Sequence, residues 1–332
     1  MKIFILPVSG GGFATQLGIL YYLLEAKRII PDIVLGSSGG NVAAYISMLS
    51  NWYHKTILKN CHLINSSLFV DSWTPSFIPT WLLFPLTKSV FRQGNGISDL
   101  FNEIFTERSI KKVEIWTGTY NETSQRAQFW CNLNKEESNI QPLENSGYIY
   151  DMEDLSYSNG DINLISKYTY GSAAIPYLTP GIEINGQKYI DGGAAYSSPL
   201  IPLSGSIKNA IITKNSKLQI HYFSSYDMDQ RFSDSMYSSS VGLLIHSSLL
   251  KDRAFALSFL HNFGKGNQIP IIYKEVNKNI MEKILKDVEN KHYLMIFSPT
   301  YSPTISITNF TGNDLSKLIT KVKFSIHLWV LD

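Results

Sequence analysis

The chain has 332 residues, of which 44% are hydrophobic and 17% are charged, and its formal net charge is only +2. This composition indicates a globular protein with room for a sizeable core, and the charge is too small to indicate nucleic-acid binding. The two cysteines, Cys61 and Cys131, exclude a disulfide framework, and we expect both to be buried free thiols.

The N-terminal segment predicts a buried strand, a glycine turn and a helix. Lys2 to Val8 is an apolar run that is too short for a signal peptide and typical of a central parallel strand. Ser9-Gly10-Gly11-Gly12 follows, and Thr15 to Lys27 then carries apolar residues at the spacing of one helical face. A glycine loop that opens a helix offers unpaired backbone N–H groups to an anion.

Three kinds of anion site are built on such a loop: a dinucleotide site, a P-loop and an oxyanion hole. A dinucleotide fingerprint requires a third glycine where Thr15 stands, and a P-loop requires Gly-Lys-Ser/Thr where the chain has Gln16-Leu17-Gly18. The third kind is an oxyanion hole, in which consecutive glycine amides stabilise the negative charge that develops on the substrate oxygen during acyl transfer. The loop by itself leaves the three open.

The next strand leads into a G-x-S-x-G pentapeptide, Gly36-Ser37-Ser38-Gly39-Gly40. Apolar residues Ile33 to Leu35 precede it and a small-residue helical stretch, Asn41 to Met48, follows, so the serine lies at the apex of a strained turn. In a right-handed crossover, the loops after both parallel strands emerge at the carboxyl edge of the sheet. We therefore expect the Gly10–Gly12 amides to lie near the Ser38 hydroxyl, which favours acyl transfer over nucleotide binding.

Residues 51 to 95 are rich in aromatic residues and interrupted by prolines. They predict either an irregular helical layer that buries its rings, or a lid or apolar surface that receives acyl chains or contacts a membrane. The longest apolar run, Phe77 to Leu86, is too short to span a bilayer. Ser98 is then predicted to cap a helix over Asp99 to Phe105.

The middle of the chain predicts two hairpins with a helix between them. The patterns indicate strands over 111–120 and 126–133, a helix over 162–170, and hairpin strands over 182–184 and 188–190. The second hairpin turns at Asn185-Gly186 and ends in Asp191-Gly192-Gly193. An acid at a strand end, followed by glycines that let a backbone or a substrate approach, is a candidate general base.

The patterns after residue 200 are weaker. They predict strands over 218–223 and 292–297 and helices over 241–259 and 279–288. Because no linker or repeat interrupts the chain, we expect one domain over residues 1–332, in which 201–332 complete the domain or form a C-terminal extension.

Four segments, taken together, resemble the patatin-like phospholipase family. They are, in chain order, Ser9-Gly10-Gly11-Gly12, Gly36-Ser37-Ser38-Gly39-Gly40, Gly171-Ser172-Ala173-Ala174-Ile175-Pro176 and Asp191-Gly192-Gly193. The resemblance ends near Pro199. It implies an α/β fold in three layers, α/β/α, around a central and mostly parallel sheet.

The chain departs from the family's pattern at two places. Ala14 and Thr15 stand where the family usually has a basic residue and a glycine, which keeps the loop amides but removes a nearby cation. Ser197-Ser198-Pro199 replaces the family's usual Asn-x-Pro, and we expect that to be a structural change.

The resemblance implies a lipid acyl hydrolase, of phospholipase A or lysophospholipase type, that works through a Ser–Asp dyad and an acyl-enzyme. Ser38 is then the nucleophile, Asp191 the base, and the oxyanion hole consists of the amides of Gly10, Gly11, Gly12 and Gly39. The expected substrate is a membrane phospholipid or another acyl lipid, with peripheral membrane contact, a cytoplasmic location and no cofactor. The alternatives are a lipid acyltransferase that uses the same acyl-serine and a catalytically silent lipid-binding protein.

A histidine triad and a metal site are the competing chemistries. In an α/β-hydrolase the histidine comes last in the chain, which leaves His261, His292 and His327, but none of them lies in a telling loop motif. Asp227-Met228-Asp229 begins like a calcium loop, but Phe232 stands where that loop requires glycine. We therefore expect a dyad and calcium-independent activity.

Overall fold

The central feature of the fold is a ten-stranded mixed sheet. The computed structural model describes residues 1–9, 16–17, 19–20, 23–24, 28–49, 73–75, 91–141, 155–176, 179–204, 206–207, 218–223, 254–256, 258–262, 271–274 and 293–297. The strands are β1 (Lys2–Leu6), β2 (Ile33–Ser37), β3 (Trp73–Pro75), β4 (Phe91–Gln93), β5 (Glu114–Asn121), β6 (Arg126–Cys131), β7 (Ile140–Gln141), β8 (Leu155–Tyr157), β9 (Ile182–Ile184), β10 (Gln187–Asp191), β11 (Ser206–Ile207), β12 (Gln219–Phe223), β13 (Ile271–Lys274) and β14 (Tyr293–Phe297). The helices with described bounds are α1 (Gly39–Leu49), α2 (Gly96–Ile104), α3 (Glu107–Ile110) and α4 (Ile162–Ser172).

One half of the large sheet is parallel and the other half is mixed. Neighbouring strands pair in parallel through the order β13-β14-β12-β1-β2-β5. β6 and β10 pair with β5 in antiparallel orientation. β9 then pairs antiparallel with β10, and β8 pairs in parallel with β6. β1 and β2 are apolar and buried over nearly their whole length, as expected of parallel strands with helices on both faces.

Helices cover both faces of these parallel strands. On one face, Ile3 and Leu35 belong to a core cluster that also contains Ala256 and Leu260, from the helical residues 254–256 and 258–262. Gly36 points to the other face, because side chains alternate along a strand, and there it lies against Asn41 of α1. The arrangement is a three-layer α/β/α fold with a mostly parallel sheet, as predicted.

β2 and β10 share one edge of β5 and meet end to end there. Parallel pairing puts Ser37, at the end of β2, opposite Gly118, and antiparallel pairing puts Asp191, at the end of β10, opposite Thr119. β6 occupies the other edge of β5 along the same stretch. Because Gly118 and Thr119 are consecutive in β5, the carboxyl ends of β2 and β10 adjoin each other.

Both predicted hairpins are confirmed, with small differences in their bounds. β5 begins at Glu114 rather than at Lys111, because the short helix α3 and the turn after it occupy the preceding residues. α3 was not predicted; Thr106 caps it by accepting a hydrogen bond from the Ser109 N–H. β13 was not predicted either. Of the helix predicted over 241–259, residues 254–256 and 258–259 are described and are helical, as are 260–262, and the rest lies outside the described residues.

The predicted cap of one helix is wrong. α2 begins at Gly96 with Asn95 at its N-cap, so Ser98 lies inside the helix instead of capping it. The earlier start is explained by Ile97, which is buried and extends the apolar face of the helix by one turn. The helix predicted over 162–170 is confirmed as α4, which ends two residues later at Ser172. At Gly171 a Cβ would lie 2.8 Å from a side-chain carbon of Ile182, so this glycine lets the helix pack closely on β9.

Cys131 is a buried free thiol, as predicted. No helix among the described residues is both long and apolar enough to cross a membrane. Cys61, the predicted helix over 279–288 and all of the aromatic segment except residues 73–75 and 91–95 lie outside the described residues.

Candidate active site

Ser38 forms the turn between β2 and α1. Its φ is 53°, in the left-handed region that non-glycine residues rarely adopt. Its carbonyl oxygen accepts hydrogen bonds from the N–H groups of Asn41 at 3.0 Å and Val42 at 3.2 Å, which begin the helix directly after the serine. The chain therefore reverses within one residue, and the serine stands at the apex of the turn.

Gly40 is required by the close approach of α1 to the first strand. A Cβ at this position would overlap the carbonyl oxygens of Leu6 and Pro7. The last glycine of the pentapeptide thus lets the start of α1 rest directly on the end of β1 and the residue after it.

Ser38 and Asp191 are hydrogen-bonded to each other. The Ser38 Oγ donates to the Asp191 Oδ2 at 2.6 Å, and the Gly193 N–H donates to the other carboxylate oxygen at 2.7 Å. Both side chains are buried, with 3% of Ser38 and 4% of Asp191 exposed. The end-to-end meeting of β2 and β10 brings these two predicted site residues together.

Burial changes the acidity of the carboxyl group. It raises the pKa of Asp191 from 3.8 to about 6, and the hydrogen bonds from Ser38 and Gly193 oppose the rise. A carboxylate with this pKa is ionised at neutral pH and is a stronger base than an ordinary aspartate. It can therefore accept a proton from a hydroxyl that attacks an electrophile.

The backbone of Ser38 has its own partner. Its N–H donates to the Ser172 Oγ at 3.0 Å, and the Ser172 Oγ donates to the Gly118 carbonyl oxygen at 2.6 Å. This contact was not predicted from the sequence. The only sequence signal was the position of Ser172 in the small-residue segment after the helix predicted over 162–170.

The predicted oxyanion residues are only partly described. Gly39 is the first residue of α1, where backbone N–H groups have no partner within the helix and the helix dipole favours negative charge. Gly10, Gly11 and Gly12 lie outside the described residues. The residues just before this loop lie beside the segment that follows Asp191, because the Val8 N–H donates to the Ser197 carbonyl oxygen at 2.7 Å.

Ser37 and Ser198 do not share the hydrogen-bond partners of Ser38. The Ser37 Oγ is buried and has no hydrogen-bond partner among the described residues. In the Ser197-Ser198-Pro199 segment, the hydroxyls of Ser198 and Tyr222 are hydrogen-bonded at 2.9 Å, which links the segment to β12.

Two histidines fall within the described residues. His221 is fully buried in β12, with the rings of Phe4 and Phe223 at 5.1 Å and 6.4 Å, and burial lowers its pKa to about 3. His261 is exposed on a helix. Neither takes the place of a triad histidine, because the Ser38 Oγ bonds directly to the Asp191 carboxylate.

In the described part of the chain, no group of three or more His, Cys, Asp or Glu side chains is placed to hold a metal ion.

A comparison with curated proteins finds no significant match. Among solved structures, the crystal structure of VipD from Legionella pneumophila is similar over 99% of this chain and 66% of that one, with 11% sequence identity and a TM-score of 0.34. The chain thus spans just under two thirds of that structure, and a similarity of this size carries no argument about function.

The family comparison agrees with the geometry. The model of the patatin-like phospholipases matches residues 6–204, a range that runs from the end of β1 past Asp191 and contains all four motif segments. The match covers more than half of the chain. On these motifs, this fold and this match, the chain belongs to the patatin-like phospholipase family.

Proposed function

We propose that the protein hydrolyses carboxylic esters of lipids, as a phospholipase A or lysophospholipase, through a Ser38–Asp191 dyad and an acyl-enzyme. The observation that carries the proposal is the 2.6 Å hydrogen bond from the Ser38 Oγ to the buried Asp191 carboxylate. It supplies a nucleophile and its base in contact, at a turn whose backbone holds the hydroxyl at an apex.

In the first half of the reaction, the Ser38 Oγ attacks the ester carbonyl carbon while Asp191 takes the hydroxyl proton. The carbonyl oxygen becomes an oxyanion, which the amide of Gly39 and those of Gly10, Gly11 and Gly12 stabilise. The intermediate collapses when the C–O bond to the leaving alcohol breaks, and protonated Asp191 returns the proton to that oxygen. The acyl group remains as an ester on Ser38.

In the second half, water takes the place of the alcohol. Asp191 removes a proton from the water as its oxygen attacks the acyl carbon. The second tetrahedral intermediate then releases the fatty acid, and the proton returns to the Ser38 Oγ. No cofactor or metal takes part in either half.

The proposed substrate is a membrane phospholipid or another acyl lipid, reached by peripheral contact with a membrane from the cytoplasm. The family supports the lipid substrate, and the membrane contact and the cytoplasmic side are part of the proposal.

The test uses phosphatidylcholine vesicles that carry a labelled acyl chain, incubated with wild type, Ser38→Ala and Ser37→Ala. Ser37 is the matched control, since it is the adjacent serine and is also buried. We expect wild type and Ser37→Ala to release fatty acid with and without EDTA, and Ser38→Ala to release none. Release that survives in Ser38→Ala would refute the mechanism, and the label appearing on an added alcohol or lysolipid instead of in fatty acid would indicate an acyltransferase.

A further inference from the structure

The Ser172 hydroxyl bridges the nucleophile turn and the sheet. It is fully buried, donates to the Gly118 carbonyl oxygen at 2.6 Å and accepts from the Ser38 N–H at 3.0 Å. Gly118 is also the residue of β5 that pairs with Ser37. One hydroxyl therefore ties the turn to β5 at the point where the carboxyl ends of β2 and β10 adjoin.

Ser38 needs such a tie because its backbone is strained. The left-handed region is unfavourable for a non-glycine residue, which stays there only where its surroundings hold it. The φ of Ser38 is 53°, and its N–H is the donor that Ser172 holds. Without that acceptor the turn can relax, and the Ser38 Oγ then moves relative to the Asp191 carboxylate.

The same bond affects the oxyanion site. Because the Ser38 N–H already donates to Ser172, it is not offered to the substrate. The Gly39 N–H, at the start of α1, is left as a donor on the helix side of the turn. Ser172 thus acts on both the position of the nucleophile and the set of donors around it.

We propose that Ser172 is a positioning residue for the Ser38 nucleophile, which rests on the proposed esterase function. It contacts no reacting atom. Its hydroxyl holds the turn in the conformation in which the Ser38 Oγ reaches Asp191, and it keeps the Ser38 N–H directed into the protein.

The test compares Ser172→Ala with Ser166→Ala. Ser166 lies in the same helix, is also buried, and its hydroxyl donates only to the Asn163 carbonyl oxygen of that helix, at 2.9 Å. For each variant, kcat and KM are measured on a soluble 4-nitrophenyl ester, together with the melting temperature. Ser172→Ala is expected to lose about 10- to 100-fold in kcat with KM unchanged, since a displacement of about 1 Å can cost on the order of 100-fold in rate. Ser166→Ala is expected to keep wild-type kcat.

Ser172→Cys extends the series, because a thiol puts a somewhat larger atom in place of the hydroxyl oxygen and makes weaker hydrogen bonds. Its kcat is expected between those of wild type and Ser172→Ala, and it carries the test alone if the alanine variant does not fold. Wild-type kcat in either folded Ser172 variant, or equal losses in Ser172→Ala and Ser166→Ala, overturns the positioning role. A wild type with no activity on either this ester or the vesicles overturns the proposed function and this inference with it, whereas an active wild type with an unaltered Ser172 variant overturns the inference only.

Discussion

The Asp191 carboxylate is expected to destabilise the folded chain at neutral pH, so Asp191→Asn should abolish activity and raise stability together. Burial raises the folded-state pKa from 3.8 to about 6. Below pH 3.8 the carboxyl group is protonated in both the folded and the unfolded states, so it does not lower the free energy of unfolding. As the pH rises past 3.8 the unfolded chain releases its proton first, and stability falls until the pH passes the folded-state pKa near 6.

The size of the effect follows from the shift. A difference of about 2 pKa units corresponds to about 3 kcal/mol at pH 8, of which roughly half develops between pH 5 and pH 8. Asparagine has the shape of aspartate, so its oxygen can accept from the Gly193 N–H and its amide can donate to the Ser38 Oγ. For a chain of this length the entropy of unfolding is on the order of 0.7 kcal/mol per degree, so the melting temperature should rise by about 4 °C at pH 8.

The assay is thermal unfolding of wild type, Asp191→Asn and Asp191→Ala at pH 5 and pH 8, with esterase activity measured in parallel. The asparagine variant should be inactive and melt above wild type at pH 8, with a smaller difference at pH 5. The alanine variant should melt below the asparagine variant at both values, because it leaves the Gly193 N–H without its acceptor. The reasoning is refuted if wild type melts above Asp191→Asn at pH 8, or if the gap between them is the same at both pH values.

Three further predictions concern the base, the turn and a buried carboxylate. The wild-type kcat/KM should rise about tenfold per pH unit below a midpoint near pH 6 and level off above it, because Asp191 must be ionised to accept the proton; a pH–rate profile tests this. Gly40→Ala should lower expression of folded protein and destabilise it by about 2 kcal/mol or more, measured by urea unfolding, because the new Cβ meets the carbonyl oxygens of Leu6 and Pro7. Glu114→Ala should cost about 3 kcal/mol or more in urea unfolding, because the buried carboxylate accepts from the Trp116 side chain, the Ser138 hydroxyl and residues 139–140.

Each of the three has an outcome that contradicts it. A midpoint near pH 4 in the rate profile would mean that the active base is not desolvated as Asp191 is. Wild-type stability of Gly40→Ala would mean that α1 does not rest on the end of β1. For Glu114, the matched control is Glu183→Ala, an exposed glutamate in β9, and equal losses in the two variants would count against a special role for the buried acceptor.

Much of the fold could be predicted because its signals are local. Apolar runs indicated β1 and β2, the spacing of glycines indicated the turn at Ser38, and Asn185-Gly186 indicated the hairpin that ends at Asp191. Each of these patterns depends on neighbours along the chain, whose side-chain periodicity and backbone freedom decide a strand or a turn directly. Local signals failed at Ser98, where a good capping residue was overruled by the burial of Ile97.

The sequence by itself determined which residues are candidates, namely a serine at a strained turn, an aspartate at a strand end and a glycine loop. Only the tertiary structure decided that the side chains of Ser38 and Asp191, 153 positions apart, meet, with 2.6 Å between the Ser38 Oγ and the Asp191 Oδ2. That distance follows because β2 and β10 each pair with the same edge of β5, an arrangement that no local pattern encodes. The raised pKa of Asp191 and the bond from the Ser38 N–H to Ser172 have the same origin, because desolvation and contacts between distant segments exist only once the chain has folded.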